Sequence, residues 1–237
     1  MDKKAIAETL DYLKAHSPAR KFVQNVDLII TLKNLNIKKD TDKVLIFTVL
    51  PHGRGKKVKI GAFVGQELLT SAKATCDAVI LGTDFANYNK KAMKKLAQSV
   101  DFFVAQATLM PQVAATFGKL LGPRGKMPNP KAGCIVPPTA DLKPVVQRLQ
   151  KTVKLETKNE MILRAVVGNQ QSKDEEVAEN VLHVYNTVLH ALPQEKNNIA
   201  QVLVKYTMGP AVEIGNLPKE QDAKAAVQAA RGAKHGA

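Results

Sequence analysis

Tryptophan is absent from this 237-residue sequence, aromatic residues make up only 5% of it, and there are two cysteines. Cys76 and Cys134 are far apart and form no Cys-x-x-Cys spacing, which argues against paired redox or zinc motifs and favours a reduced, intracellular compartment. No apolar run is long enough to cross a bilayer, and no basic amphipathic anchor helix is visible. The N-terminus also lacks the apolar core of a signal peptide. These absences predict a cytoplasmic protein with no membrane partner.

Sequence patterns for catalysis are missing as well. Two Gly/Lys-rich runs, 53–57 and 122–127, could suggest phosphate loops, but a nucleotide P-loop needs a Gly five residues before its Gly-Lys pair and a Ser or Thr after it. These positions hold Leu50 and Lys57 in the first run, and Leu120 and Met127 in the second. Neither a Gly-x-Gly-x-x-Gly spacing nor a Gly-x-Ser-x-Gly elbow occurs, and the five histidines have no metal-ligand spacing. The sequence therefore predicts no enzyme, no cofactor and no metal site.

Acidic residues are few relative to basic ones. The chain has 35 Lys and Arg against 21 Asp and Glu, which gives a net charge of +14 and a pI near 9.7. Such an excess is typical of proteins with a polyanionic partner, and nucleic acid is favoured over an anionic membrane surface. Residues 57–155 carry a net +10, whereas 1–56 carry +5 and 156–237 carry −1. Composition alone places the polyanion on the central segment.

Hydrophobic patterning in the two flanks predicts an antiparallel α+β arrangement. A helix is predicted at 2–15, and a half-buried strand follows, in which Phe22, Gln24, Val26, Leu28, Ile30 and Leu32 share one face. After a polar loop at 34–42, further strands are predicted at 43–50, 152–157, 161–167, 199–207 and 211–214, with a helix at 173–191. Ser172 and Glu175 are predicted to form a capping box for that helix, and Val177, Val181, Val184 and Val188 its buried side. The Ala-rich, charged tail from 218 is either a marginal helix or disordered.

Short apolar strands alternate with helices in the central segment, which predicts a parallel sheet with helical crossovers. The strands are predicted near 58–64, 77–81 and 101–105, and the helices near 66–75, 87–98, 111–120 and 141–151. The predicted fold class is therefore α/β with two domains. Residues 1–56 and 156–217 form a split α+β domain, and residues 57–155 form an inserted three-layer, Rossmann-like α/β/α domain. The predicted hinge includes His52, Gly53 and Gly55, with the second crossing near 152–157.

Two segments are candidates for contact with RNA. Residues 118–138 form a loop rich in Gly and Pro, in which Arg124, Lys126 and Lys131 suit phosphate contact and no acidic residue occurs. A solvated surface loop is the competing interpretation. Thr207-Met208-Gly209-Pro210 follows the end of a predicted strand. It offers a Thr hydroxyl, a polarizable Met side chain and a Gly without a side chain, a combination that suits contact with ribose rings through complementary shape. An ordinary strand end is the alternative there.

Several motifs resemble one known family. Residues 122–133, Gly-Pro-Arg-Gly-Lys-Met-Pro-Asn-Pro-Lys-Ala-Gly, are similar to the motif of the large-subunit ribosomal protein one family, the protein of the mobile stalk beside the tRNA exit site. Matches in the same order are Lys21-Phe22, Leu50 to Lys56, Asp101 to Phe103 and Thr207 to Pro210. The likeness covers about residues 1–215, and the segments 50–56 and 207–212 are similar to archaeal members.

The resemblance implies that the split domain makes the main rRNA contact. The positions so implied are Lys21, Phe22, Asn25, Asp27, Gly168, Asn169, Lys205, Thr207, Met208 and Gly209. Two of them depart from the family pattern, since Asn25 stands where Thr or Ser is common and Asp27 replaces the more usual Glu. The split domain carries only about +4, so this implication conflicts with the charge distribution. Recognition by shape needs fewer cations and reconciles the two.

The same resemblance implies a structural constituent of the large subunit that is a monomer when free. Its implied partners are large-subunit rRNA, exit-site tRNA through Arg124, Lys126 and Lys131, other ribosomal components, and its own mRNA, whose translation it would repress. Two other classes stay open at this point. An RNA-modifying enzyme could hold a nucleotide on the doubly wound domain, and a peripheral membrane protein could use the positive charge.

Overall fold

A computed structural model describes residues 1–18, 20–36, 43–157 and 160–218. The chain divides into two compact units, which we call the split unit (1–56 together with the chain from 153 onward) and the inserted unit (57–152). The elements in chain order are α1 (Lys3–His16), β1 (Asn25–Leu32), β2 (Leu45–Val49), β3 (Ile60–Val64), α2 (Leu69–Thr75), β4 (Ala78–Leu81), α3 (Lys90–Ser99), β5 (Phe102–Gln106), α4 (Met110–Leu121), β6 (Ile135–Val136), α5 (Leu142–Lys151), β7 (Thr152–Glu156), β8 (Ile162–Asn169), α6 (Asp174–Ala191), β9 (Ile199–Tyr206) and β10 (Ala211–Glu213).

The split unit is built on a four-stranded antiparallel sheet with the order β10-β9-β1-β8. Burial alternates strictly along β1, because successive side chains of a strand point to opposite faces. Val26, Leu28, Ile30 and Leu32 point into a core shared with α1 and α6, which pack against each other and against the sheet. The other face of β1, beginning with Asn25, is only partly buried. Strands β2 and β7 form a separate two-stranded sheet.

Helix α6 supplies the longest buried stripe of the split unit. Its valines at 177, 181, 184 and 188 are all buried, as the periodicity predicts. Three acidic residues in its first turn face the positive end of the helix dipole, which stabilises them. The predicted capping box is wrong, because Lys173 is the N-cap residue and makes no side-chain cap. The Ser172 hydroxyl instead donates to Asn169 Oδ1 at 2.8 Å, in the turn after β8. It therefore does not cap the N-terminus of α6.

The inserted unit has a parallel sheet with the order β4-β3-β5-β6. The central strand β3 is buried throughout, and helix α3 contacts α4 while α2 contacts α5, which gives a helix layer for each face. Aromatic rings fill the core on the α3 and α4 side. The ring of Phe63 lies 5.2 Å from that of Phe103 and 5.0 Å from that of Phe117, measured between centroids.

The predicted α/β fold class, with an antiparallel flank and a parallel centre, is confirmed. Strand β1 begins at Asn25, so Phe22 precedes it and is 53% exposed instead of lying on the apolar face. The two-residue strand β6 was not predicted, because so short an element has no periodicity. Most of the predicted polar loop (37–42) and of the tail (219–237) lies outside the described residues. In the described part of the chain, no helix is long and apolar enough to cross a membrane.

Candidate nucleic-acid interface

Three chain segments meet at one end of the four-stranded sheet. They are the approach to β1, the turn after β8 and the turn after β9, since Asn25 is paired with Asn169 and Val26 with Tyr206. We call this end the strand-end surface and define it by Lys21, Phe22, Val23, Asn25, Asn169, Thr207 and Met208. Six of these seven are among the residues that the resemblance implies for rRNA, and the fold brings them together although 148 positions separate Lys21 from Asn169.

Thr207 closes the end of the β1–β9 pair. Its backbone N–H donates to Asn25 O at 3.1 Å, and its hydroxyl oxygen accepts from the Asn25 N–H, also at 3.1 Å. The same hydroxyl lies 3.4 Å from Asn25 O as a donor. The hydroxyl is therefore committed to the backbone of β1, and its first role is to fix the turn that presents Met208.

Gln24 holds the strand-end surface together from beneath. The side chain is fully buried, its Oε1 accepts from the Met208 N–H at 3.1 Å, and its Nε2 donates to Pro18 O at 3.3 Å. Its backbone oxygen accepts from the Gln170 N–H at 2.9 Å. Gln24 thus joins the approach to β1 to the turn after β9 through its side chain and to the turn after β8 through its backbone. The sequence pattern placed Gln24 on the apolar face of a predicted strand and gave it no role in the site. The one indication of such a role was that Gln24 is polar while the other residues of that face are apolar.

Large apolar side chains are exposed on this surface. Phe22 is 53% exposed, Val23 is 47% exposed and Met208 is 46% exposed. A fixed cluster of exposed apolar groups beside backbone turns is typical of an interaction site. The cluster combines the flat ring of Phe22 with the polarizable thioether of Met208 and has few charges. Such groups favour contact with flat rings and other apolar surfaces of a partner.

Two glycines among the predicted rRNA contacts have a packing role in the structure. A Cβ on Gly168 would lie 2.8 Å from Val177 Cγ2, and one on Gly209 would lie 2.9 Å from Ser17 Oγ. Gly168 is itself buried. Both positions let a helix or its end approach the sheet closely, so they support the surface from behind. The rRNA contact of Gly168 stays a prediction.

Asn169 is committed to the loop that contains the predicted hinge. Its Nδ2 donates to Gly55 O at 3.1 Å, and its Oδ1 accepts from the Gln171 N–H at 3.0 Å. Gly55 has φ = 80°, and a Cβ there would lie 2.6 Å from the Asn169 side chain, so only glycine fits. Gly53, by contrast, has open space around it.

His52 is anchored on α6 within the split unit. Its Nε2 lies 2.6 Å from Glu179 Oε2, and its backbone N–H donates to Asn180 Oδ1 at 3.1 Å. Glu179 also accepts from Lys3 at 2.8 Å. The hydrogen bonds from Lys3 and His52 lower the pKa of Glu179 to about 2. The hinge role of His52, Gly53 and Gly55 stays a prediction.

The open face of the sheet, beside the strand-end surface, carries few charges. Asp27, Arg164 and Lys205 line a shallow depression of about 450 Å³ together with apolar side chains. Lys205 lies directly opposite Asp27 in the β1–β9 register. Burial raises the pKa of Asp27, and the nearby Lys205 charge opposes that rise. With the exposed Lys21, the split unit offers only a few cations here.

The three predicted phosphate contacts lie in the loop 122–134 of the inserted unit, and their side chains differ in exposure. Lys131 is exposed and Arg124 is half-buried. Lys126 points inward, where its Nζ donates to Ala97 O at 2.9 Å and to Val100 O at 2.5 Å, at the C-terminal end of α3. Burial lowers the pKa of Lys126, and Asp101 partly offsets this. Its ammonium group stabilises the negative end of a helix dipole. The phosphate contacts of Arg124, Lys126 and Lys131 stay a prediction.

Comparison with known proteins gives consistent matches along the chain. The model described as "Ribosomal protein L1p/L10e family" matches residues 13–210, a span that includes both the strand-end surface and the loop 122–134. "Large ribosomal subunit protein uL1" of Pyrococcus abyssi is 38% identical over 216 residues, which cover 90% of this chain and 96% of that protein. The protein of the same name from Methanobrevibacter smithii is 39% identical over 212 residues, covering 88% and 98%. That of Thermoplasma volcanium is 36% identical over 217 residues, covering 91% and 98%.

Proposed function

This chain belongs to the ribosomal protein L1p/L10e family, and on that premise we propose that it is a structural constituent of the large ribosomal subunit. It binds large-subunit rRNA through the strand-end surface and contacts other ribosomal components. The observation that carries the proposal is the exposed cluster of Phe22, Val23 and Met208 on a sheet end fixed by Gln24. As a member of a family of ribosomal structural proteins, the chain is not an enzyme.

The chemistry of the strand-end surface suits folded RNA. RNA is recognised through unstacked bases, ribose hydroxyls and the shape of its wide minor groove. The Phe22 ring stacks on a base, the Met208 thioether lies against ribose, and the Asn25 amide can hydrogen-bond a 2′-hydroxyl. The backbone N–H groups of Asn25 and Met208 donate to the side-chain oxygens of Thr207 and Gln24. Because these bonds fix the backbone on which Asn25 and Met208 lie, little conformational entropy is lost there on binding.

Few cations lie near the surface, so phosphate contact supplies only part of the affinity. If about 4–6 phosphates are neutralised in all, the logarithm of the binding constant falls with the logarithm of salt concentration at a slope of roughly −3 to −5. Loss of an apolar contact at the strand-end surface reduces affinity without changing that slope. This separates recognition by shape from attraction by charge.

A pair of methionines tests the proposal. Met208→Ala removes a side chain of the strand-end surface that is 46% exposed, whereas Met161→Ala removes a methionine that is 37% exposed and lies beside Leu32, at the other end of β1. We expect Met208→Ala to weaken binding to folded large-subunit rRNA by about tenfold or more, and Met161→Ala to have no effect. Equal affinity of both variants and the parent protein would reject the strand-end surface as the rRNA site.

We also propose that the inserted unit forms the mobile stalk and assists the release of exiting tRNA. The support is the charge of that part of the chain, +10 over residues 57–155, together with the exposed Lys131 and the half-buried Arg124 of the loop 122–134. Charge of this kind suits contact with a phosphate backbone that is made and broken during each cycle. Arg124→Gln with Lys131→Gln should slow tRNA dissociation from ribosomes that carry the variant. Unchanged dissociation would oppose this role.

Translational repression is a further proposal for the same surface. A site that recognises shape binds any RNA with the same fold, and the chain's own mRNA is the expected second target. Translation of that mRNA in a cell-free system should fall when the protein is added, and Met208→Ala should relieve the repression. Repression by Met208→Ala at the parent's potency would argue against a shared site.

A further inference from the structure

We propose that the outward face of α3 in the inserted unit is a second RNA-binding surface, which holds an RNA phosphate backbone without reading its sequence. The surface consists of Lys90, Lys91, Lys94 and Lys95, and we call it the α3 lysine face. This inference rests on the proposed function, and it adds a site that neither the loop 122–134 nor the strand-end surface contains.

The four lysines cover one side of the helix. At 3.6 residues per turn they span an arc of about 140°, and all four are exposed. The opposite side is turned inward, with Met93 in the core of the inserted unit and Leu96 packed against it. The helix therefore has its apolar side fully used by its own domain, and only cations and the small Ala92 face outward along these two turns.

The positions of the four lysines on α3 destabilise the free protein. Lys90 and Lys91 lie in the first helical turn, where the dipole is positive and acidic residues are favoured. The pairs Lys90–Lys94 and Lys91–Lys95 bring like charges together at i,i+4 spacing. A helix whose charges cost stability on their own is expected where a polyanion neutralises them.

The inserted unit has five acidic side chains; three of them bond to backbone N–H groups, and in the part of the chain that the structure describes no ion pair includes the other two, Glu67 and Asp84. The carboxylates of Asp77, Asp101 and Asp141 accept hydrogen bonds from backbone N–H groups. Asp77 and Asp101 directly precede β4 and β5, at the amino edge of the parallel sheet, whereas α3 begins after β4, beyond the carboxyl edge. Among the described residues, no ion pair includes any of the four lysines.

RNA is the partner that this chemistry favours. The absence of an outward aromatic side chain on α3 argues against base stacking and for contact with phosphates. A membrane-binding helix needs a free apolar face to enter the bilayer, and the apolar face of α3 is occupied. Ribosomal RNA and tRNA present the same phosphates, so the test includes both.

The test uses the full chain and two matched double variants. Lys91→Gln/Lys95→Gln removes two charges from the α3 lysine face, and Lys73→Gln/Lys143→Gln removes two exposed charges from α2 and α5, in the other helix layer. Binding to large-subunit rRNA, to unfractionated tRNA and to vesicles containing phosphatidylserine is measured from about 50 to 200 mM KCl. Thermal unfolding of each variant checks that it folds, and we expect no loss for Lys91→Gln/Lys95→Gln.

For one of the RNAs, Lys91→Gln/Lys95→Gln should make the log–log salt slope shallower by about 2 and weaken binding by about tenfold at the middle of the range, while Lys73→Gln/Lys143→Gln keeps the parent's slope. Equal effects of the two double variants would overturn the inference, since the lysines would then act only through net charge. Loss of vesicle binding alone would overturn it in favour of a membrane. If the parent protein does not prefer large-subunit rRNA over an arbitrary duplex, the proposed function fails and this inference fails with it. If the parent prefers large-subunit rRNA but Lys91→Gln/Lys95→Gln has the parent's salt slope, only the α3 lysine face is rejected.

Discussion

A single residue, Gln24, supports the strand-end surface. Its side chain is fully buried and accepts a hydrogen bond from the Met208 N–H. Gln24→Leu leaves that N–H and the Pro18 carbonyl without their partner, which costs about 1–3 kcal/mol of unfolding free energy. The turn at 207–210 then keeps its hydrogen bonds to Asn25 but loses the one that holds the Met208 backbone, so affinity for rRNA should fall as well. Urea unfolding and rRNA binding measure both effects.

The control for Gln24→Leu is Gln170→Leu, since the side chain of Gln170 is exposed and only its backbone N–H is bonded to Gln24. We expect wild-type stability and affinity for this variant. Full rRNA affinity in Gln24→Leu would show that the turn does not depend on the buried amide.

Glu179 gives the molecule a predictable response to acid. Lys3 and His52 hold its pKa at about 2 in the folded state, below the ordinary value of 4.5. The lowered pKa contributes stability that is fully present above about pH 4.5 and is lost as the pH falls through 2. The difference in thermal midpoint between the parent protein and Glu179→Gln should therefore shrink steadily from pH 5 to pH 2. Glu8→Gln, which removes an exposed carboxylate of α1, is the control for the loss of one surface charge. A constant difference across this range would contradict the assignment.

Sequence motifs predicted which residues gather at the strand-end surface, but only partly what each one does. The motifs at 122–133 and 207–210 led to the family, which the matches over residues 13–210 confirm. They could not show that Gly168 makes room for Val177, or that Lys126 points inward, because motif spacing does not identify packing partners. Gln24 was missed as a site residue for the same reason.

At the scale of elements, the C-terminal end of α3 depends on Lys126. Its ammonium group donates to Ala97 O and Val100 O, so it pairs carbonyls that the helix leaves open. Lys126→Met should lower the unfolding free energy of the inserted unit by about 1–3 kcal/mol. Lys131→Met, which removes an exposed cation of the same loop, should leave it unchanged. Chemical unfolding followed by probes in the inserted unit distinguishes the two, and equal stability would mean that Lys126 is free to bind an external phosphate.

Periodicity predicted nearly all helices and strands, and it failed where local competition decides the outcome. Ser172 has the spacing of a cap for α6, yet it bonds to Asn169 at the end of β8. The pattern at 22–32 correctly predicted the buried face of β1, but not that the strand begins only at Asn25. Side-chain hydrogen bonds between neighbouring turns are not encoded in a hydrophobic period, so these boundaries could not be predicted.

At the scale of the whole molecule, charge and the proposed recognition site lie on different parts of the chain. The inserted segment 57–155 carries +10, whereas the strand-end surface has few cations and three large exposed apolar groups. This separation is what we expect if one unit binds by shape and the other by phosphate contact, as proposed. Composition predicted a polyanionic partner, and only the assembled sheet showed that exposed apolar side chains gather at one of its ends.

The most direct test of this account is a comparison of two RNAs at rising salt. Binding of the full chain to folded large-subunit rRNA and to an arbitrary RNA duplex of equal length is measured from about 50 to 300 mM KCl. The account predicts that rRNA is preferred by about 100-fold or more, and that the preference is retained or grows as salt weakens binding to the duplex. Equal affinity for the two RNAs, or a preference that disappears as salt rises, would contradict recognition by the strand-end surface.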